Sequence, residues 1–115
     1  MTIYKRGDVV LVPFPFSDQS TSKKRPAVII SSDRYNKLSL DVIIMAITSK
    51  THKADGPAEY VIEDWKKTGL LKPSLIKPAV STIEMKLIIK KLGSFSSKDI
   101  NLLEKALKEL FGLKP

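Results

Sequence analysis

The fold of this chain is decided by residues 7–31, which read GDVVLVPFPFSDQSTSKKRPAVIIS. Two apolar runs rich in valine and isoleucine, residues 9–14 and 27–30, flank a polar loop at residues 17–24. Apolar runs of this length, bounded by turn-forming residues, are typical of strands rather than helices. The stretch therefore predicts a hairpin with a long, polar connecting loop.

The end of that loop is strongly basic, because Lys23, Lys24 and Arg25 follow one another directly. Pro26 biases the backbone of Arg25 toward an extended conformation, since the proline ring crowds the residue before it. We therefore expect the second strand to start here and the arginine to be held in a defined direction.

A near-continuous apolar run of strand-forming residues, Asp41–Thr48, predicts the central strand of a sheet with both faces buried. Residues 34–40 before it are predicted to form a loop or a single helical turn, and residues 51–57 after it a second exposed loop. Shorter strands are predicted at residues 58–62, 79–83 and 86–92. Two prolines limit residues 70–78 to short extended pieces, and Gly69 stops a turn or short helix at residues 63–68.

The C-terminal region predicts an amphipathic helix over residues 97–111. Ser96 and Asp99 match a capping box, Phe95 and Ile100 match a hydrophobic staple, and Gly112 suits the helix end. One helical face is apolar, formed by Ile100, Leu103, Leu107 and Leu110. Many short strands with one strong helix predict a single α+β domain over residues 1–115, built as a small antiparallel barrel or half-barrel.

The composition of the chain excludes several classes of function. With 115 residues, 43% hydrophobic and 28% charged, the chain is expected to fold as one domain, and it contains no cysteine. Disulfides, zinc ribbons and thiol catalysis are therefore excluded. The start of the chain lacks an apolar signal core and no run approaches membrane-spanning length, so a cytoplasmic protein is expected.

The charge indicates a polyanionic partner. Twenty Lys and Arg against twelve Asp and Glu give a formal net charge of +8, with a pI near 9.7. Neutralising phosphates with such cations releases counterions and favours binding. The alternative is that the lysines only keep the protein soluble. RNA, DNA and an acidic protein all remain open as partners on charge alone.

Few residues in the chain could perform chemistry. A single histidine and no cysteine leave no histidine pair, no obvious metal cluster and no cofactor-binding motif. The remaining candidates are Arg25, at the base of the first polar loop, and Thr48 with Ser49, at the end of the central strand. If these strands emerge on the same side, the three residues meet across a groove.

These motifs, in this order, resemble the MazF/PemK family of type II toxin–antitoxin systems. The family opens with a Gly-acidic-apolar strand, matched by Gly7 and Asp8, has an Arg-Pro before an apolar strand, matched by Arg25, and closes its third strand with Thr or Ser, matched by Thr48. The resemblance implies an SH3-like barrel, a homodimer and an acidic antitoxin partner. It also implies metal-independent, sequence-specific cleavage of single-stranded RNA through attack of the ribose 2′-OH, without a cofactor.

The resemblance assigns the catalytic pair to Arg25 and Thr48. A guanidinium, which holds its proton very tightly, is a poor general base but a good clamp for a phosphate. Thr48 would hydrogen-bond the scissile phosphate or the 2′-OH. The expected substrate contacts are Lys23, Lys24 and Lys50 with the RNA backbone, Gln19, Ser20 and Thr21 with the bases, and Ser49, His52 and Thr82. His52 is a candidate for proton transfer, although a lone histidine in a polar loop is more often only solvated.

The chain departs from the family in its fifth strand. Where many members have an acidic residue and Gln followed by Arg-Thr, residues 77–82 read KPAVST, and only Thr82 is retained. Two other functions therefore stay open. One is a CcdB-like gyrase poison without nuclease activity, and the other is an inactive RNA-binding module.

Overall fold

The structure, a computed structural model, describes residues 3–14, 23–49 and 56–114. These residues form six strands and two α-helices, with a short 3-10 helix, Met85–Leu87, between the last two strands. In chain order the elements are β1 Asp8–Phe14, β2 Lys23–Ile29, α1 Asp33–Leu38, β3 Asp41–Thr48, β4 Tyr60–Val61, β5 Leu75–Glu84, β6 Lys90–Ser94 and α2 Ser97–Phe111.

The strands form one curled antiparallel sheet in the order β4-β5-β3-β2-β1-β6. β2 and β3 lie at its centre, as the apolar run of β3 predicts. The predicted class, an antiparallel half-barrel with a C-terminal helix, is confirmed. Within the described residues, no helix is long and apolar enough to span a membrane.

Alternation along the strands divides the core between the two faces of the sheet. On one face, Val10 and Val12 of β1 pack with neighbours from β2, β3 and the end of β5 in the first cluster. On the other face, Val9, Val28 and Met45 pack against residues that include Leu103 of α2 in the second cluster. Burying both faces explains why the central strands read as continuous apolar runs.

Helix α2 has the predicted bounds and the predicted caps. The Ser96 hydroxyl accepts a hydrogen bond from the Asp99 backbone N–H, and Gly112 ends the helix in the left-handed conformation at φ 67°. The Asp99 carboxylate does more than complete a capping box. It is fully buried and accepts the backbone N–H groups of Glu63 and Asp64 at 2.8 and 3.0 Å. This contact fixes the turn at residues 63–69 to the start of α2.

One end of the sheet is held by buried polar side chains, and we call it the anchored end; it comprises the start of β1, the end of β2 and the start of β3. Asp8 of β1 is 3% exposed and accepts the Lys5 backbone N–H and the Ser94 hydroxyl, and it pairs with Lys91 at 3.4 Å. Ser31, just after β2, hydrogen-bonds the buried Asn36. Asp8, Ser31 and Asn36, the buried polar residues described here, therefore each have a hydrogen-bond partner within the protein.

Two elements differ from the sequence-based expectation in the first half of the chain. β2 starts at Lys23, two residues before the expected start at Arg25, because Lys23 and Lys24 pair with Phe14 and Pro13 of β1. The basic end of the expected loop is therefore strand. Residues 34–40 were expected to form a loop or one helical turn, and the six-residue helix α1, Asp33–Leu38, occupies most of that segment.

The second half of the chain differs more. β5 runs unbroken from Leu75 to Glu84 through Pro78, which lies where the pairing of β3 with β5 shifts register, a place that tolerates proline. β4 contains only two of the expected residues, and Ala58 has φ 62°, which is incompatible with a strand. The run at residues 86–92 splits into the 3-10 helix and β6, which begins at Lys90. Leu110, expected on the buried helix face, is 36% exposed.

Candidate functional site

Arg25 and Thr48 are brought together by the pairing of β2 with β3. The ladder pairs Ala27 with Ala46, Val28 with Met45 and Ile29 with Ile44. Extending this register by two residues would place Arg25 opposite Thr48, at the end where Arg25 is paired with Val12 of β1 and Thr48 with Leu75 of β5. The pairing of β2 with β3 therefore brings both residues to the same end of the sheet.

The face of the sheet that carries this pair follows from alternation. Arg25 is paired with Val12, which belongs to the first cluster, as do Ala27 and Ala46. Arg25 and Thr48 continue that face beyond the apolar residues, and both are half-buried. The Arg25 Nε atom is buried, so the guanidinium lies partly within the protein rather than extending fully into solvent.

The strand ends around this pair are uniformly basic, and we call this region the basic end. It comprises residues 11–14, 23–26, 46–49 and 71–78 together with Lys90, which is paired with Leu11. These segments contain no Asp or Glu. They carry the cations Lys23, Lys24, Arg25, Lys72, Lys77 and Lys90. A surface with one sign of charge raises the local concentration of an oppositely charged ligand.

Three of the predicted substrate-binding residues lie at the basic end. Lys23 and Lys24 are exposed in the first two positions of β2, and Ser49 is exposed directly after β3. Successive strand residues face opposite sides of the sheet, so Lys23 shares the face of Arg25 and Lys24 lies on the other. The two lysines can therefore reach a polyanion on both sides of the strand end.

Thr82, another predicted contact, lies away from this pair. It is exposed in β5 and paired with Ile43, five residues along β3 from Thr48. At about 3.3 Å per residue, the separation along the strand is roughly 16 Å. The other predicted contacts fall outside the described residues: Gln19, Ser20, Thr21, Lys50 and His52.

A groove of about 350 Å³ opens at the same end of the sheet, on the face of the second cluster and thus opposite the face that carries Arg25 and Thr48. Pro26 and Ser49, the residues that follow Arg25 and Thr48, form part of its wall, and Lys72 and Lys90 lie on its border. The sequence analysis missed these two lysines. Lys72 and Lys90 come together only through the pairing of β6 with β1 and through the turn at residues 63–69. No local pattern in the sequence predicts either contact.

No metal-binding cluster is found among residues 3–14, 23–49 and 56–114, where no group of three or more His, Cys, Asp or Glu side chains could hold an ion. The groups that the described part of the basic end offers are guanidinium, ammonium and hydroxyl groups. Such groups bind and polarise an anion such as a phosphate.

The curled sheet, the C-terminal helix and Arg25 with Thr48 at the same basic end define a class of small α+β proteins suited to an anionic ligand. Within that class the assignment is specific, because a family model matches residues 5–111, almost the whole chain. The chain belongs to the PemK-like, MazF-like toxins of type II toxin–antitoxin systems. The resemblance in the sequence motifs is thus confirmed.

Solved structures share this fold at low sequence identity. An endoribonuclease in complex with its cognate antitoxin, from a mycobacterial species, superposes with a TM-score of 0.76 at 18% identity, covering 100% of this chain and 99% of that one. MazF in a MazE–MazF complex from Deinococcus radiodurans gives 0.77 at 17% identity, covering 98% and 100%. The Mycobacterium tuberculosis toxin MazF-mt6 gives 0.75 at 17% identity, covering 94% and 99%. The likeness therefore extends over whole chains.

Proposed function

We propose that this toxin is an endoribonuclease that cleaves single-stranded RNA at specific short sequences without a metal ion. The proposal rests chiefly on the position of Arg25 and Thr48 at the same, basic end of the paired strands β2 and β3. Family membership and the endoribonuclease named among the structural neighbours support the same reaction class.

The proposed reaction needs no external nucleophile. The ribose 2′-oxygen attacks the adjacent phosphorus, a bond forms between them, and the bond from phosphorus to the 5′-oxygen breaks. The 2′-OH loses its proton and the departing 5′-oxygen gains one, which leaves a 2′,3′-cyclic phosphate and a 5′-OH. The protein has to orient these groups and stabilise the charge that builds up on the phosphate.

Arg25 is suited to the electrostatic part of this reaction. Its guanidinium stays charged at neutral pH and presents a planar set of N–H donors that matches two phosphate oxygens. Burial of Nε restricts the side chain before substrate binds. A preorganised donor of this kind contributes about 3–4 kcal/mol of transition-state stabilisation.

Thr48 supplies a hydroxyl on the opposite side of the same site. A hydroxyl both donates and accepts a hydrogen bond, so it can hold a phosphate oxygen or orient the attacking 2′-OH. The pairing of Thr48 with Leu75 of β5 fixes the backbone that carries this hydroxyl.

We further propose that the toxin works as a cytoplasmic homodimer and is neutralised by an acidic antitoxin that covers the basic end. The net charge of +8 would speed association with such a partner. The antitoxin complexes named among the structural neighbours support this assignment. A gyrase poison and an inactive RNA-binding module remain as outcomes of the experiment below.

The deciding experiment compares Arg25→Ala with the natural protein on a long single-stranded transcript in the presence of EDTA. We expect the natural protein to cut and Arg25→Ala to lose about 10²–10³ in rate, the loss expected for one preorganised donor. Arg25→Lys keeps the charge but not the paired N–H geometry, so it should lose an intermediate factor. Arg34→Ala, which removes an exposed arginine of α1, is the matched control and should cut normally.

Cleavage by Arg25→Ala at the natural rate would contradict the catalytic assignment. RNA binding without cleavage by the natural protein would instead indicate an RNA-binding module. Gyrase-dependent DNA breaks without RNA cleavage would indicate a gyrase poison. Circular dichroism of each variant confirms that the fold is retained before rates are compared.

A further inference from the structure

The groove on the face of the second cluster combines an apolar lining with cations at its border. Five of its ten lining residues are leucine or proline, and none of the ten is acidic. The apolar residues are Leu11, Pro26, Leu70, Leu71 and Leu92. Two lysines, Lys72 and Lys90, complete the border. A ligand that fits this lining therefore carries both an apolar group and negative charge.

The floor of the groove is a cross-strand row of the sheet. Leu11 of β1 is paired with Pro26 of β2 on one side and with Lys90 of β6 on the other. The residues before and after Leu11 belong to the first cluster, so alternation directs Leu11 and its partners to the opposite face. Lys24, two residues before Pro26, is exposed on this same face. The row therefore places cations on both sides of an apolar centre.

The wall of the groove is held by close backbone packing between the turn at residues 63–69 and β6. Gly69 has φ 79°, and a Cβ atom there would overlap the backbone carbonyl of Leu92. A side chain at Gly93 would likewise overlap the backbone of Thr68. The turn therefore lies directly on β6, and the groove is formed before any ligand binds, which lowers the cost of binding.

Leu71 is the part of this wall that lacks a cover. Its side chain is 93% exposed, whereas the adjacent Leu70 is only 8% exposed and belongs to the second cluster. The groove has a volume of about 350 Å³, enough for one bulky apolar side chain. Such a side chain would bury apolar area of Leu71 that is now in contact with water, which favours binding.

The lining does not suit single-stranded RNA. Surfaces that bind single strands stack the bases on aromatic rings or on arginine guanidinium planes, and none of the ten lining residues is aromatic or arginine. Arg25 and Thr48 lie on the other face of the sheet, so contact with them does not lead a strand into the groove.

A second copy of this chain does not suit the groove either. The chain has a net charge of +8, so a second copy would bring like charge close to Lys72 and Lys90. An acidic protein segment satisfies both parts of the lining. Protein interfaces concentrate binding energy in a buried apolar anchor, and a polar rim surrounds that anchor.

Resting on the proposed function for the existence of an acidic antitoxin, we propose that this groove docks an acidic antitoxin segment that carries a bulky apolar side chain. The apolar side chain packs against Pro26 and Leu71, and flanking carboxylates pair with Lys72 and Lys90. Because the groove faces away from the catalytic pair, its occupant leaves that pair open to RNA. Inhibition then requires a further part of the antitoxin to reach the other face.

The experiment measures the fluorescence anisotropy of two polyglutamate peptides, one with leucine and the other with serine at the central position. The natural protein should bind the leucine peptide about tenfold more tightly, because the leucine side chain leaves water. Leu71→Ser should remove most of this preference. Leu40→Ser, which replaces a leucine that is 87% exposed at the anchored end, is the matched control and should keep it.

The lysines are tested by the salt dependence of the same binding. Lys72→Gln/Lys90→Gln should weaken both peptides severalfold at about 0.05 M salt and less at about 0.2 M, because salt screens the charges. The matched control Lys37→Gln/Lys98→Gln lowers the net charge by the same amount, at exposed lysines of α1 and α2, and should bind both peptides like the natural protein. Equal weakening by the two double variants would overturn the proposal.

Arg25→Ala tests the separation of the two faces and should keep the preference for the leucine peptide. Loss of that preference in Arg25→Ala would overturn the proposal, as would a preference that Leu71→Ser leaves intact. Equal binding of both peptides by the natural protein would overturn it as well.

Two further measurements identify the other possible occupants. Leu71→Ser should bind a 2′-O-methyl RNA dodecamer, which cannot undergo 2′-attack, as tightly as the natural protein does. Weaker binding of this RNA with the peptide preference intact would assign the groove to RNA. A dimer that Leu71→Ser dissociates, with the preference intact, would assign it to a second copy. The RNA measurement tests Leu71 and not the lysines, because the field of the basic end acts on both faces.

The natural protein separates this proposal from the proposed function. If it does not cut RNA but shows the leucine preference that Leu71→Ser removes, only the nuclease assignment fails. If it cuts RNA and the groove variants bind both peptides like the natural protein, only the groove proposal fails.

Discussion

The two ends of the sheet use polar residues in opposite ways. At the anchored end, Asp8, Ser31 and Asn36 are buried and each hydrogen-bonds to protein groups. At the basic end, Lys23 and Lys24 are exposed at the start of β2. Buried polar groups stabilise a fold only when paired, whereas exposed cations are available to a ligand. The comparison assigns stability to one end and binding to the other.

The largest expected effect on stability comes from Asp99, which ties the start of α2 to the turn at residues 63–69. Asp99→Ala removes the acceptors of the Glu63 and Asp64 backbone N–H groups, so we expect a loss of about 3 kcal/mol in the free energy of unfolding. Urea denaturation measures it. Lys98→Ala, an exposed neighbour in the same turn, should change stability by less than about 0.5 kcal/mol.

This variant also tests whether residues that stabilise the fold are separate from those of the basic end. RNA binding per folded molecule should be unchanged in Asp99→Ala, because Asp99 is fully buried and is not one of the residues of the basic end. If Asp99→Ala weakens RNA binding with no change in stability, Asp99 contributes to binding and not to stability, which contradicts the prediction. Lys90→Gln should show the reverse pattern, with a stability change below about 0.5 kcal/mol.

A smaller effect is expected from Asn36, which is 5% exposed within the anchored end. Its side-chain oxygen accepts the Ser31 hydroxyl at 2.5 Å, and its nitrogen donates to the Ser31 carbonyl at 3.2 Å. Asn36→Ala should cost about 2 kcal/mol by thermal or urea unfolding. Asn101→Ala, at an exposed asparagine of α2, serves as the matched control.

The Ser31 hydroxyl also accepts the Ile43 backbone N–H at 3.0 Å, so the two side chains act as one network. The double variant Ser31→Ala/Asn36→Ala should therefore cost less than the sum of the single changes. Strict additivity would show that the two residues stabilise the anchored end independently.

The smallest expected effect concerns Tyr60, which links β4 to the C-terminal turn of α2. Its hydroxyl donates to the Glu109 carboxylate at 2.6 Å, and this hydrogen bond, followed by desolvation and the negative charge, raises the pKa of Tyr60 above 10.0. A raised pKa favours the protonated folded state. The contribution is therefore complete below pH 10 and is lost as the pH rises through the raised pKa.

Alkaline ultraviolet titration measures this pKa, with Tyr60→Phe as the reference that isolates Tyr60 from the other tyrosines. Glu109→Gln should lower the pKa of Tyr60 toward 10, because it removes the charge and weakens the acceptor. An unchanged titration curve in Glu109→Gln would show that Glu109 does not set this pKa.

Much of the fold could be predicted because β3 and α2 have strong local patterns. Continuous apolar residues and helical periodicity determine those elements without knowledge of the rest of the chain. The predicted start of β2 was wrong because Lys23 and Lys24 have side chains typical of a loop. Only their pairing with β1 makes these two residues part of a strand. The strand predicted at residues 79–83 was also too short, because a proline such as Pro78 indicates the end of a strand. In the structure a register shift accommodates Pro78 within β5.

The candidate site was predictable to the same extent. Arg25 and Thr48 lie at the ends of two consecutive strands, so the order of the strands alone brings them together. Lys72 and Lys90 belong to segments that meet through long-range packing around Gly69 and Gly93. Sequence periodicity does not predict such long-range contacts, so the groove could be identified only from the structure.

The length of β5 bears on how this protein limits aggregation through an open strand edge. β5 pairs with β4 only at Leu75 and Ile76, so from Ala79 to Glu84 it borders β3 on one side and no other strand of the described sheet on the other. An open strand edge of this kind can recruit a strand from another chain and start aggregation. Pro78 lacks an N–H group and lies at the register shift where this edge begins, a position at which a proline hinders pairing with a further strand.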